Sequence, residues 1–271
     1  MNHNIFEPQE SLKQWVKCYW NLESDLENTP RKNTIVPDGT MKLIFHYGDT
    51  YKHHINDKES IVLPRCFLIG QLTKPYVVEP LGTTGSFVVR FQPNGFLPFA
   101  NIAIKEIQNT AVPLHQLFGN DGDKIGEQIL NANSTSQRIT LIETFLLERL
   151  TEKNVIDSIV NATIDTIIEA NGQFSVNELS EKNNINRRQL TRKFSSTIGL
   201  SPKQLSKTIR IQNALKSLLN NEVTSLTDLA YKNEYFDQAH FIKDFKEFTG
   251  LTPKAFYGND LKMSLIFDSK D

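Results

Sequence analysis

Apolar and polar positions follow two different periods along this chain, and the change between them divides it. Up to about residue 91, short apolar runs rich in aromatic and β-branched residues are bounded by Pro, Gly, Asp and Asn, at 15–22, 35–47, 66–70, 76–79 and 86–91. Such runs predict strands. Within 35–47, Pro37-Asp38-Gly39 is turn chemistry: proline presets φ and glycine accepts a positive φ, so the stretch reads as strand, turn, strand. A short amphipathic turn is expected after Pro8, and 23–33 reads as a loop. From Asn94 the spacing becomes helical, at 95–100, 123–132 and 136–150, the last with Ile139, Ile142, Phe145, Leu146 and Leu150 in phase.

Beyond a boundary near 151–154 the pattern is helical throughout. Residues 155–170 carry Ile156, Ile159, Ile164, Ile167 and Ile168 and stop at Asn171-Gly172. An internal repeat follows, in which Leu179 corresponds to Leu229, Phe194 to Phe245, Gly199 to Gly250 and Pro202 to Pro253. In the first unit Ser175 and Glu178 suit a capping box for a helix to about Lys182, Asn183-Asn184 supplies a turn, and Asn186 caps a helix over 187–198 that Gly199 ends. Ser201-Pro202 opens a longer helix, to about Leu219, with proline at the first position where its missing N–H costs nothing. In the second unit Asp237 caps a helix over 238–249 that stops at Gly250, with Phe241, Phe245 and Phe248 facing inward. Its other face, with Gln238, Ala239, Ile242, Lys243 and Lys246, is polar and cationic.

These last residues carry a resemblance. Asp237-Gln238-Ala239-His240-Phe241, Phe245-Lys246 and Gly250-Leu251-Thr252-Pro253 look like the second helix-turn-helix of the AraC/XylS family of bacterial transcription regulators, and the likeness covers about residues 156–257. One departure is Glu234, which stands where the family usually has glycine, ahead of the aromatic Tyr235. Pro37-Asp38-Gly39, Arg90-Phe91-Gln92-Pro93 and Leu117-Phe118-Gly119 are similar to an uncharacterised N-terminal domain often found ahead of such units. The resemblance implies an α+β chain: a mainly-β, barrel-like N-terminal sensor or dimerisation domain with helices (1–151), an all-α double helix-turn-helix (152–258) and a tail (259–271). It also implies that the helices at 187–198 and 238–249 enter successive major grooves of one duplex. Arg188, Thr191 and Arg192, with Arg187 beside them, match positions from which the family reads bases.

Chemistry supports those assignments. Arginine can donate twice to guanine, threonine can offer a hydroxyl or a methyl, Gln238 suits adenine, and Lys243 suits guanine or phosphate, with Ala239 and Ile242 alongside. Lys193, Lys246 and Lys254 are expected on phosphates. His240 is expected to cap or pack beside Tyr235 more than to read a base.

A net charge of −1 over 271 residues changes this picture little, because it is unevenly spread. Residues 1–150 carry 14 Lys and Arg against 16 Asp and Glu, whereas 161–258 carry 13 against 10, and 186–198 holds four cations and no acid. With 39% hydrophobic residues there is enough for two packed domains. No apolar run approaches the roughly 20 residues of a membrane span, no signal peptide is read at the start, and Cys18 and Cys66 read as free thiols, so the cytoplasm is the expected location.

Other functions fit less well. His46, His53, His54 and Cys66 lack metal-ligand spacing, and neither a phosphate loop nor a serine nucleophile elbow is present, so no metal, cofactor or enzymatic activity is expected. Trp15, Trp20, Phe45, Tyr47, Phe67, Phe87 and Phe91 could line an effector pocket with Arg90 as an anion anchor, or simply fill the core, and no ligand residue is assigned. The expected partner is double-stranded DNA, with a small-molecule effector, RNA polymerase and a second copy of the chain as further candidates. The alternative is a ligand-independent regulator whose first domain only dimerises or binds a protein.

Overall fold

The structure, a computed structural model, describes residues 2–25, 32–99, 102–150, 157–220, 225–233, 235 and 237–258. Among the described residues the first half contains ten strands: β1 (Asn2–Phe6), β2 (Val16–Ser24), β3 (Asn33–Ile35), β4 (Lys42–His46), β5 (Tyr51–His54), β6 (Ser60–Val62), β7 (Cys66–Ile69), β8 (Tyr76–Pro80), β9 (Thr84–Phe91) and β10 (Ala111–Pro113). They form a six-stranded sheet, β1-β2-β9-β4-β7-β10, and a four-stranded one, β3-β8-β5-β6, both antiparallel. The barrel-like expectation therefore takes the form of two sheets that do not close.

Strand β9 explains the layering, because all eight of its residues are buried. Successive side chains in a strand point to opposite faces. Phe87, Val89 and Phe91 enter one core with Tyr19, Phe45 and Leu68, while Val88 packs on the other face with Trp20 and Cys18. The first face is covered by helices α2 (Asn120–Leu130) and α3 (Thr135–Leu147), which supply Ile125, Ile129, Ile142, Phe145 and Leu146, after a short α1 (Leu114–Phe118). The second face looks towards the smaller sheet. The helical expectation at 95–100 is corrected: the structure has a one-turn 3-10 segment, Leu97–Phe99, with Pro98 inside it.

The second half is helical: α4 (Ser158–Glu169), α5 (Val176–Lys182), α6 (Arg187–Ile198), α7 (Pro202–Leu219), α8 (Leu226–Lys232), α9 (Gln238–Thr249) and α10 (Pro253–Gly258). Val160, Ile164, Leu179, Leu190, Phe194 and Leu205 form one core, and Ile211, Leu215, Leu229, Phe241, Phe245 and Phe256 form another. Helix α7 feeds both cores and is the spine between the two units.

The halves are docked through a few specific contacts. Val36 joins the second helical core, and Gln212 Nε2 donates to the Pro37 carbonyl at 2.5 Å. Gly39, at φ 74°, lies close against α7: a Cβ there would stand 2.7 Å from Leu205 Cδ1 and push it aside. Gln108 donates to the Gly199 carbonyl, and Asn94 donates to Asn161 at 2.7 Å. Trp15 packs against the cores of both halves.

Candidate nucleic-acid interface

Each helical unit is assembled by local chemistry that repeats. Ser175 and Ser225 cap α5 and α8 through their side-chain oxygens, and Ser175 with Glu178 completes the expected capping box. At the other end, Asn183 and Asn233 turn their amides back onto the carbonyls of Leu179 and Leu229, at 2.8 and 2.9 Å. Asn184 holds φ 47°, the left-handed conformation expected of the first turn. Glu234, the departure in the second turn, lies outside the described residues.

The longer helix of each unit is likewise set at both ends. Asn186 Oδ1 accepts from the Arg188 amide at 2.8 Å and Asp237 Oδ1 from the His240 amide at 2.7 Å, while Gly199 and Gly250 end the helices at φ 83° and 79°. Leu190, Phe194 and Ile198 anchor α6 inward, as Phe241, Phe245 and Phe248 anchor α9. The opposite faces are left to solvent.

On α6, Arg187, Arg188 and Arg192 are exposed and Thr191 is half-buried. With Ser195 and Ser196 they line a cleft of about 800 Å³ whose other wall is Ala103, Ile104 and Lys105 of the first half. Lys105 thus extends the cationic edge of α6, a contribution invisible to the spacing of the helical repeat. Arg187 also lines a second cleft of about 430 Å³ with Lys203 and Arg210. Lys193 sits apart from this face, ion-paired with Asp157, the N-cap of α4.

On α9, Gln238, Ala239 and Lys243 are exposed, and Lys246 follows on the last turn. Ile242 is half-buried and packs on the second helical core, so only part of it is available to a partner. His240 stands edge-on to Tyr235, with ring centroids 5.3 Å apart, the packing expected of it. Helix α9 is clamped to the spine by Lys207, whose ammonium lies 2.8 Å from both Asp244 and Glu247. Lys254 is exposed on α10.

Residues 179–258 match the family described as a helix-turn-helix domain, and residues 4–113 match a domain of unknown function (DUF6597). Residues 179–258 are thus an AraC-type helix-turn-helix domain. An uncharacterized helix-turn-helix-type transcriptional regulator of Staphylococcus aureus is 33% identical to the chain over 104 residues, 38% of this chain and 14% of that protein. Another, of Haemophilus influenzae, is 25% identical over 152 residues, covering 53% and 51%. The chain thus spans about a seventh to a half of the length of these relatives. Among solved structures, an apo ToxT variant of Vibrio cholerae is 15% identical with a TM-score of 0.48, covering 89% of this chain and 97% of that one. The C-terminal domain of AraT, a response regulator of Geobacillus stearothermophilus, is 23% identical with a TM-score of 0.36, covering 38% and 86%.

The residues considered for other chemistry have settled surroundings. His53 stacks on Tyr76 at 3.6 Å, His54 Nε2 lies 2.6 Å from Glu79, and Cys18 and Cys66 are not joined in a disulfide. Among the described residues, no group of three His, Cys, Asp or Glu side chains could hold a metal. Arg90 is not available as an anion anchor: it is buried 3.1 Å from Asp38, over the ring of Trp20. Burial would raise the Asp38 carboxyl, but Lys42 and Arg90 outweigh it and hold it down at about 2. Phe45, Phe87 and Phe91 fill the core, whereas Trp20 and Phe67 line a cavity between the sheets. No helix among the described residues is long and apolar enough to cross a membrane.

Proposed function

We propose that this chain is a sequence-specific DNA-binding transcription regulator whose AraC-type domain sets α6 and α9 into successive major grooves on one face of a duplex. The observation that carries the reading is the repeated unit itself: two helices each capped by a side-chain oxygen, of Asn186 and of Asp237, each with an inward Phe and a glycine stop, joined by one spine. Helix α7 has 18 residues, so it spans about 27 Å at 1.5 Å per residue, comparable with the roughly 34 Å between successive grooves.

In this reading Arg187, Arg188, Thr191 and Arg192 on α6, and Gln238, Ala239, Ile242 and Lys243 on α9, face base edges. Lys246 and Lys254, with Lys193 where Asp157 releases it, meet phosphates. Residues 1–151 act as the sensor or dimerisation module, 152–258 as the reader and 259–271 as a tail, and the protein works in the cytoplasm without catalysing a reaction.

The docking of the two halves supports control by a small molecule. The turn at 37–39 rests on α7 and the 103–105 segment stands beside α6, so a ligand that shifts either would shift the population of arrangements able to bind DNA. A second copy of the chain and RNA polymerase complete the expected assembly. The test is selection of bound sequences from a random duplex pool by the full chain. A bipartite site, with centres about 10 base pairs apart, supports the reading; a pool with no enriched sequence contradicts it.

A further inference from the structure

The cavity between the two sheets has an occupant chemistry written into its walls. It measures about 110 Å³ and is lined mainly by apolar side chains, among them Phe67, Tyr76 and Val88. Cavities of roughly 150 Å³ admit benzene, so one ring is the most this smaller cavity can take, with its walls giving slightly. Two of the polar groups in the lining are distinguished by an unpartnered ring nitrogen. Trp20 and His46 are 2% and 4% exposed, and among the described residues no hydrogen-bond partner meets the Nε1 of the one or the Nε2 of the other. His46 Nδ1 is occupied by Ser86 Oγ at 2.8 Å.

We propose that this cavity is a binding site for a small uncharged molecule built on one ring and carrying one polar oxygen, of phenol or benzyl alcohol size. The ring replaces water against the apolar walls. An indole N–H only donates, so Trp20 calls for an acceptor oxygen. His46 is held neutral by burial, and its Nε2 donates or accepts according to how the Ser86 hydroxyl turns, so a hydroxyl or a carbonyl can meet it. A buried donor without a partner is costly, and the ligand oxygen removes that cost.

The charges nearby argue for a neutral ligand. Lys42 lines the cavity, but its ammonium already lies 2.9 and 2.8 Å from the two oxygens of Asp38, which Arg90 also meets. Arg65, whose charge acts on His46, donates to the carbonyls of His46, Tyr47 and Gly48. A carboxylate would enter without a cation of its own.

This inference deepens the reading of the first half as the module that receives an effector. Its test is calorimetric titration of the full chain with phenol, benzyl alcohol, toluene and benzoate. Saturable one-site binding of the two hydroxylated rings is expected, with benzoate at least about tenfold weaker. Trp20→Phe is expected to cut the preference for phenol over toluene by about twofold to tenfold, the worth of one hydrogen bond. Leu72→Trp and, from the facing sheet wall, Val78→Phe each fill the cavity and are expected to abolish binding, with the melting temperature checking that both variants fold. Absence of saturable binding, undiminished binding in both folded filling variants, or a preference for benzoate would each overturn the proposal. Operator binding measured on the same samples is a separate readout, so a site that takes the ring in a chain that ignores DNA refutes the regulator reading alone.

Discussion

Arg192 and Lys193 are neighbours with opposite fates. The arginine is exposed on the face of α6 that lines the cleft, while the lysine is tied to Asp157. Arg192→Ala should therefore weaken binding to an enriched duplex at least about tenfold, with the loss confined to one half-site and the melting temperature nearly unchanged. Salt-titrated binding to half-site variants checks it. The exposure of Arg187, Arg188 and Arg192 was legible from the spacing of Leu190 and Phe194. The pairing of Lys193 was not, because its partner lies 36 residues away on another helix.

His46 makes a second prediction at this scale. Burial among Tyr51 and Phe67, with the Arg65 charge adding to it, holds the imidazole down at about 4 from its usual 6.5. Below pH 6.5 the unfolded chain takes up a proton that the folded chain refuses. The stability that this group contributes is full above pH 6.5 and is lost as the pH falls towards 4, by roughly 3 kcal/mol at most. Urea unfolding of His46→Gln at pH 7 and pH 5 should show a smaller loss on acidification than the wild type; equal losses would remove His46 as the cause.

At the scale of elements, helices were more legible than strands. Caps, glycine stops and the spacing of inward aromatics are local signals, and the bounds of α6, α7 and α9 follow from them. Strands β1 and β5 carry few apolar residues, and β6 is three residues long with Ile61 and Val62 both exposed, so alternation does not mark them. The expected strand, turn and strand across 35–47 are present, yet β3 and β4 enter different sheets, because the Pro37-Asp38-Gly39 turn carries the chain between layers. Such a choice depends on long-range pairing that no local motif encodes.

The glycine stops can be tested directly. A Cβ on Gly250 would meet only Pro75 Cγ, at 3.8 Å, so Gly250→Ala isolates the cost of its φ of 79°. A loss of about 1–2 kcal/mol in chemical denaturation is expected, and no loss would mean that α9 ends without the left-handed residue.

For the whole molecule, the N-terminal sheets and the AraC-type domain share contacts through Val36, Pro37, Gln108 and Trp15. None of these was singled out as an interface residue, since turns and isolated aromatics give no sign of which domain they will touch. The division into a sheet-rich first half and a helical second half was legible, because the hydrophobic period changes between them. Paired reading as proposed requires that α7 hold α6 and α9 at a fixed separation. The measurement that tests it most directly is the affinity of the full chain for its enriched duplex with five base pairs inserted between the half-sites. Half a turn moves one major groove to the far side, so a loss of at least about tenfold is predicted. Unchanged affinity would contradict paired reading by α6 and α9.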